Sequence, residues 1–183
     1  DEFPEFPRFV IESLRQPLED GIITVSRAQG TVQFPARFML IASLNPCPCG
    51  YATDPDRACT CTPQQKIRYE KKLSGPLLDR IDLHIEVPRV QFEKLTSTAS
   101  AESSATVRER VNRARERQSA RFKGTNLHTN SEMGNRELRE WCSLDDATLS
   151  VLKTAVQHFH LSARSFNRII KVSRTIADLA GSD

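Results

Sequence analysis

Residues 38–50 read FMLIASLNPCPCG, and the fold turns on how this stretch is taken. From Phe38 to Leu44 the chain is nearly all apolar. A short continuous run of this kind suits a strand covered on both faces, typically in a parallel sheet. Asn45-Pro46 ends the run, so Asn45 falls at the strand's carboxyl edge, where ligands bind in open α/β sheets. Taken alone, a strand-end Asn-Pro is more often a turn former. A cysteine-bearing loop follows to about Thr62.

Upstream, PRFVIESLRQPLEDG repeats Phe6, Val10, Leu14 and Leu18 at every fourth position, a helical pattern. Pro17 has no amide to donate and crowds the preceding turn, which predicts a break near Arg15-Gln16; Asp20-Gly21 closes the helix. Two β-prone runs, Ile22 to Ser26 and Thr31 to Phe34, flank Arg27-Ala28-Gln29-Gly30 as a hairpin. Downstream, a helix is expected from Pro63 to Lys72, then a helical turn in SGPLLDR. Ile81, Leu83, Ile85 and Val87 alternate as a second sheet strand. Residues 96–105 are small and polar, a linker or a loosely held entry to a helix. Helices should follow over 106–122 and 135–142, from Ser143 through a Ser143–Asp146 capping box, and from Ser162 to a stop at Gly181. The expected fold is an α/β core of parallel-sheet strands, helices and a β-hairpin over 1–95, then an all-α domain over 96–183.

With 183 residues and a 38% hydrophobic share, the chain can build a real core. No apolar run approaches the roughly 20 residues needed to span a membrane, and no secretory signal is present. A net charge of +3 permits nucleic-acid contact without requiring it. Five cysteines, an odd count without a signal peptide, point to a reducing, cytoplasmic setting. Cys47, Cys49, Cys59 and Cys61 form C-x-C, nine residues, C-x-C, and four thiolates in one loop can close a tetrahedral zinc site. The spacing departs from the usual C-x₂-C ribbon, and free thiols or an oxidised pair are the alternatives. Cys142, beside Trp141, reads as core. The arginine-rich helix over 106–122 is either a nucleic-acid face or a solvated one, with Glu109 paired to Arg113. His84, His128, His158 and His160 have no metal or triad partner in the pattern.

Asp1-Glu2 before a helix, Asn45 at a strand end, Arg80 in LLDRIDL and Arg164 in LSAR stand in an order that resembles the second half of an AAA+ ATPase. The stretches DEFPEF, RQPLEDG, ITVSRAQG, FPARFMLIASLNPCPCGY, YEKKLSGPLLDRIDLHIEVP and LSARSFNRIIKVSRTIADLAG resemble the magnesium-chelatase-like ComM/YifB family. The resemblance implies that residues 1–95 are the C-terminal half of the ATPase core and 96–183 its helical lid. Asp1 would hold Mg²⁺ through water and Glu2 would polarise the attacking water, as the end of a Walker B strand. Asn45 matches sensor 1. Arg80 matches an arginine finger, against an ion pair with Asp79 or Asp82. Arg164 matches sensor 2, with Arg168 one turn along as its competitor and action in cis or trans left open. The hairpin matches the pre-sensor-1 hairpin, so Arg27 or Gln29 at its tip could touch DNA, unless the tip is merely solvated.

The family implies a hexameric ring driven by ATP and Mg²⁺ and acting on DNA, in branch migration, natural transformation and recombination. A Walker A loop needs G-x-x-x-x-G-K-[ST], and none of the seven glycines precedes a lysine. The chain therefore reads as a C-terminal fragment that would not hydrolyse ATP alone. Two rivals are the ATPase subunit of a magnesium or cobalt chelatase and a non-catalytic, zinc-stapled binding module.

Overall fold

Arg8–Ser13 (α1) and Arg15–Asp20 (α2) are two helices where the apolar repeat is continuous, and the chain breaks at Leu14. Pro17 is the third residue of α2, in the first turn, where its missing amide would have had no partner inside the helix. Gly21 ends α2 with φ of 65°, a left-handed conformation that costs glycine nothing, and its amide bonds Pro17 O at 3.0 Å. Strands Ile22–Arg27 (β1) and Gly30–Pro35 (β2) then pair antiparallel, from Ile22↔Pro35 to Arg27↔Gly30. Ala28 and Gln29 are left as a two-residue tip.

The computed structural model describes residues 1–88, 90 and 101–182. The chain divides into two units, Asp1–Leu95 and Thr96–Asp183. In the first, Pro63–Glu70 (α3) starts on a capping box in which Thr62 Oγ1 accepts from the Gln65 amide and Gln65 Oε1 accepts from the Thr62 amide. Ser74 caps the one-turn helix Gly75–Leu78 (α4). Phe3, Ile11 and Leu77 are buried together, with Leu14, Leu18, Ala42 and Leu73 against them.

The expected parallel sheet is absent among the described residues, where the hairpin is the whole of the β structure. Residues 38–44 and 81–87 are not in a ladder. Their apolar side chains show the consequence: Met39, Ile41, Ile85 and Val87 are each about 80% exposed. A strand is held by amide and carbonyl partners on neighbouring strands, so an apolar run without such neighbours has the composition of a strand and none of its bonds. Within the described residues, Ala42 packs on the core and Ser43 O accepts the Phe3 amide at 2.9 Å.

The second unit is helical: Ser104–Arg121 (α5), Asn135–Trp141 (α6), Asp146–Phe159 (α7) and Ala163–Ala180 (α8). The α7 cap is Asp145, whose carboxylate accepts from the Thr148 amide at 2.8 Å, rather than Ser143. Phe122, Met133, Leu138 and Ile170 are buried together, and Trp141, Cys142, Leu152 and Phe166 pack around them. Phe122 and Trp141 meet edge to face, with ring centroids 5.1 Å apart. Burial pushes the Cys142 thiol up, as for a core cysteine.

Beneath this apolar layer lies a buried carboxylate that the sequence reading passed over. Asp178, on α8, accepts from Arg121 at 2.5 and 2.9 Å, from Arg174 at 3.0 Å and from Asn130 at 2.8 Å. Burial alone would raise its pKa, but these donors prevail and hold it at about 2. A carboxylate depressed in the folded state contributes stability above its unfolded pKa and loses it as pH falls through the folded one. The difference from 3.8 to about 2 is worth about 2.5 kcal/mol. Melting of the helical unit, followed by circular dichroism, should therefore weaken steeply between pH 4 and pH 2. Asp178→Asn should remove most of that acid dependence and lower stability at neutral pH by about 3 kcal/mol, because Arg121 and Arg174 lose the buried carboxylate they share.

Candidate functional site

The first residues of the chain are tied to the apolar run that ends at Asn45. Asp1 Oδ1 accepts from Ser43 Oγ at 2.5 Å and from the Glu2 amide at 3.0 Å. With the Phe3–Ser43 backbone bond, this places the Asp1 carboxylate alongside Ser43, two residues before Asn45. Glu2 adopts φ of 51°, a left-handed conformation uncommon outside glycine, before the 3₁₀ turn Phe3–Glu5. Glu2 and Asn45 are both exposed. The Asp1 carboxylate, a hard oxygen donor of the kind Mg²⁺ takes, thus lies against the segment that ends at Asn45.

Arg80 follows α4 and is held firmly. One guanidinium nitrogen donates to Pro76 O at 2.5 Å, another pairs with Glu19 on α2, and the side chain is only 12% exposed. Sequence proximity had offered Asp79 or Asp82 as partners; Glu19 was not anticipated, and no local signal marks it. Arg164 lies exposed in the first turn of α8, behind the Ser162 cap, and Arg168 is half-buried one turn on. Arg27 and Gln29 are exposed at the hairpin tip.

The four loop cysteines converge. Cys47 Sγ lies 3.4 Å from Cys49 Sγ and 3.7 Å from Cys59 Sγ, and Cys49 to Cys59 is 3.5 Å. All four sulfurs, with Cys61, fall within 4.8 Å of one another. Tetrahedral Zn²⁺ with Zn–S of about 2.3 Å requires sulfurs about 3.8 Å apart, close to these separations. Cys47 is wholly buried. The Tyr51 backbone amide, aided by Thr60, brings the Cys49 thiol down to about 5, whereas burial pushes Cys61 up to about 12. Donor chemistry and spacing fit a structural zinc ion.

A second residue missed by sequence reasoning is Tyr69 on α3. It is 8% exposed, with the Lys72 ammonium 5.4 Å from its ring centroid. Burial pushes its pKa up, with the Glu5 carboxylate adding to the effect.

Comparison with known proteins places the chain. Residues 1–95 match the family model "Magnesium chelatase, subunit ChlI", and residues 101–183 match "Magnesium chelatase, subunit ChlI C-terminal". Competence protein ComM of Haemophilus influenzae is 47% identical over 99% of the chain. YifB of Escherichia coli is 44% identical over the whole chain. A relative from Mycobacterium bovis is 41% identical over 99% of it. The chain spans 35% of the length of each of these relatives. No helix among the described residues is long and apolar enough to cross a membrane. Matched in both units and along its whole length, the chain belongs to the magnesium chelatase ChlI family, on its ComM/YifB branch.

Proposed function

We propose that the chain is the part of a longer, ring-forming ATPase that carries the water-activating and charge-sensing residues, in a motor acting on DNA. The observation that carries this reading is the junction of Asp1 with Ser43, which sets the Asp1 carboxylate, next in sequence to Glu2, beside the segment ending in Asn45. In this reading Asp1 helps to hold Mg²⁺, which neutralises charge on the phosphates when bound. Glu2 orients the attacking water, and Asn45 contacts the terminal phosphate. Arg80 and Arg164 contribute permanent positive charge, Arg80 to a neighbouring subunit's nucleotide. Phosphoryl transfer asks little more of a protein than such positioning and charge stabilisation. The exposed apolar runs 38–44 and 81–87 become sheet strands once the remaining ATPase core pairs with them, the cysteines carry one zinc ion, and residues 96–183 form the lid.

Glu2→Gln in the full-length protein tests this. ATP binding, followed by fluorescent-nucleotide titration, should be retained, while hydrolysis falls by about 10² to 10⁴. Hydrolysis within a few-fold of normal would overturn the assignment. A chelatase ATPase subunit is the second reading, favoured by the ChlI models that match both units. DNA-stimulated ATP turnover supports the DNA motor, and its absence, with stimulation by a chelatase partner, supports the other.

A further inference from the structure

We propose that Glu19 is a positioning residue for Arg80, so that the junction of α2 with the β1–β2 hairpin sets where the arginine can reach. The proposal rests on the reading of Arg80 as a charge given to a neighbouring subunit's nucleotide. Two acceptors hold the guanidinium, and they come from different places. Pro76 O, at 2.5 Å, belongs to α4, the one-turn helix just before Arg80, and travels with it. The Glu19 carboxylate reaches across from the last turn of α2, 61 positions away in sequence. Arg80 Nε is buried and has no hydrogen-bond partner, so the inner edge of the guanidinium is closed and its bonding falls to the outer nitrogens. A guanidinium carries five N–H donors in one plane, and two acceptors can fix that plane while leaving donors for a phosphate. Arg80 is oriented by Glu19 without being used up by it.

The carboxylate stands on a fastened piece of chain. Glu19 lies two residues before Gly21, whose amide bonds Pro17 O at 3.0 Å and whose carbonyl accepts the Ala36 amide at 2.7 Å. β1 leaves Gly21 directly and β2 returns to it through Ala36, so both ends of the hairpin meet at the end of α2. Gln16 Nε2 donates to Thr24 Oγ1 at 3.2 Å, a second tie between α2 and β1. Gly21 has no room for a side chain without movement: its φ is 65°, and a Cβ there would stand 3.0 Å from Arg37 Cγ. Leu18, beside Glu19, packs on the cluster that holds Leu77, so α2 and α4 share one core. A shift at the junction therefore moves the carboxylate, and the arginine with it.

The experiment uses the full-length protein with ATP and Mg²⁺, below the melting temperature of every variant. Glu19→Gln should lower turnover by between about 10-fold and about 100-fold at unchanged KM for ATP, the scale of a catalytic group slightly misplaced. Gly21→Ala, whose added methyl meets Arg37, should lower it in the same direction. Neither substitution should reduce the residual turnover of Arg80→Ala any further, because both act through the arginine. A merely structural role would lower turnover equally in both backgrounds, and that result overturns the proposal. Normal turnover in Glu19→Gln overturns it too, and normal turnover in Gly21→Ala overturns the part given to the junction. Should Glu19→Gln fail to fold, Glu19→Asp, which keeps the charge and withdraws it by one carbon, takes its place in the same comparison. Arg80→Ala separates the two ideas. If it spares turnover, the nucleotide reading of Arg80 fails, while melting temperatures still decide whether Glu19 holds it: Glu19→Gln should lower that of the parent and not that of Arg80→Ala. If Arg80→Ala lowers turnover and Glu19→Gln does not, the positioning role fails and the nucleotide reading stands.

Discussion

On the proposed function, Arg80→Ala in the full-length protein is expected to lower ATP turnover by about 10³-fold or more while leaving ATP affinity within about twofold. An arginine supplied to a neighbour's phosphate stabilises charge that develops during transfer, so its loss appears in turnover rather than in binding. In the structure the guanidinium is not loose. Pro76 O and Glu19 hold two of its nitrogens, with the side chain 12% exposed. A residue held in this way has its entropy cost met by the fold, which suits a group that must present a fixed charge. Arg80→Lys should rescue poorly, because an ammonium cannot reproduce the planar fork. If Arg80 serves only to pair with Glu19, the alanine variant melts earlier and turns over normally. Mixing Arg80→Ala with Glu2→Gln gives the sharper test, since finger and water-orienting carboxylate would come from different subunits. Some mixed interfaces then regain a complete site. Subunit exchange without recovered activity would place Arg80 outside the neighbour's site.

The parts of this molecule that were legible in its sequence are those set by local chemistry. Helix α8 follows from Ser162 as cap, the spacing of Phe166, Ile170 and their neighbours, and Gly181 as stop, and it runs Ala163–Ala180. The hairpin follows from two β-prone runs about a short polar connection, and its register closes on Arg27↔Gly30. The cysteine cluster was legible because its four members lie within one loop. What could not be read is pairing at a distance. Arg80 and Glu19 are 61 positions apart, and each has nearer carboxylates or cations in sequence. Asp178 lies on a helix whose apolar stripe accounts for most of its pattern, and its donors Arg121 and Asn130 come from 57 and 48 positions away. Residues 38–44 mark the opposite case. Their composition states a buried strand plainly, yet burial and bonding belong to a sheet that needs other strands, and Met39 and Ile41 stand exposed.

Zinc removal should have the other large effect. Elemental analysis of protein purified under reducing conditions should give about one Zn per chain, and X-ray absorption should give four Zn–S distances near 2.3 Å. Cys47→Ser should weaken zinc binding by at least about 100-fold, because Cys47 is the wholly buried member of the four and its sulfur contacts both Cys49 and Cys59. Cys142→Ser is the internal control: it lies in the hydrophobic cluster of the helical unit and should leave zinc content unchanged. Thiolate ligation also fixes the sign of the pH dependence. Zinc must displace the protons still on the cluster, Cys61 with its pKa pushed up to about 12 above all, so affinity falls as pH falls and binding releases protons to buffer. Because an unfolded loop offers no preformed site, the free energy of binding is also free energy of folding for residues 46–62. Hydrogen exchange should therefore show protection across 46–62 lost on chelation and restored by one equivalent of Zn²⁺. A metal-free, reduced protein with the same protection would make the cysteines packing residues, since burial alone would then be enough to hold their sulfurs together.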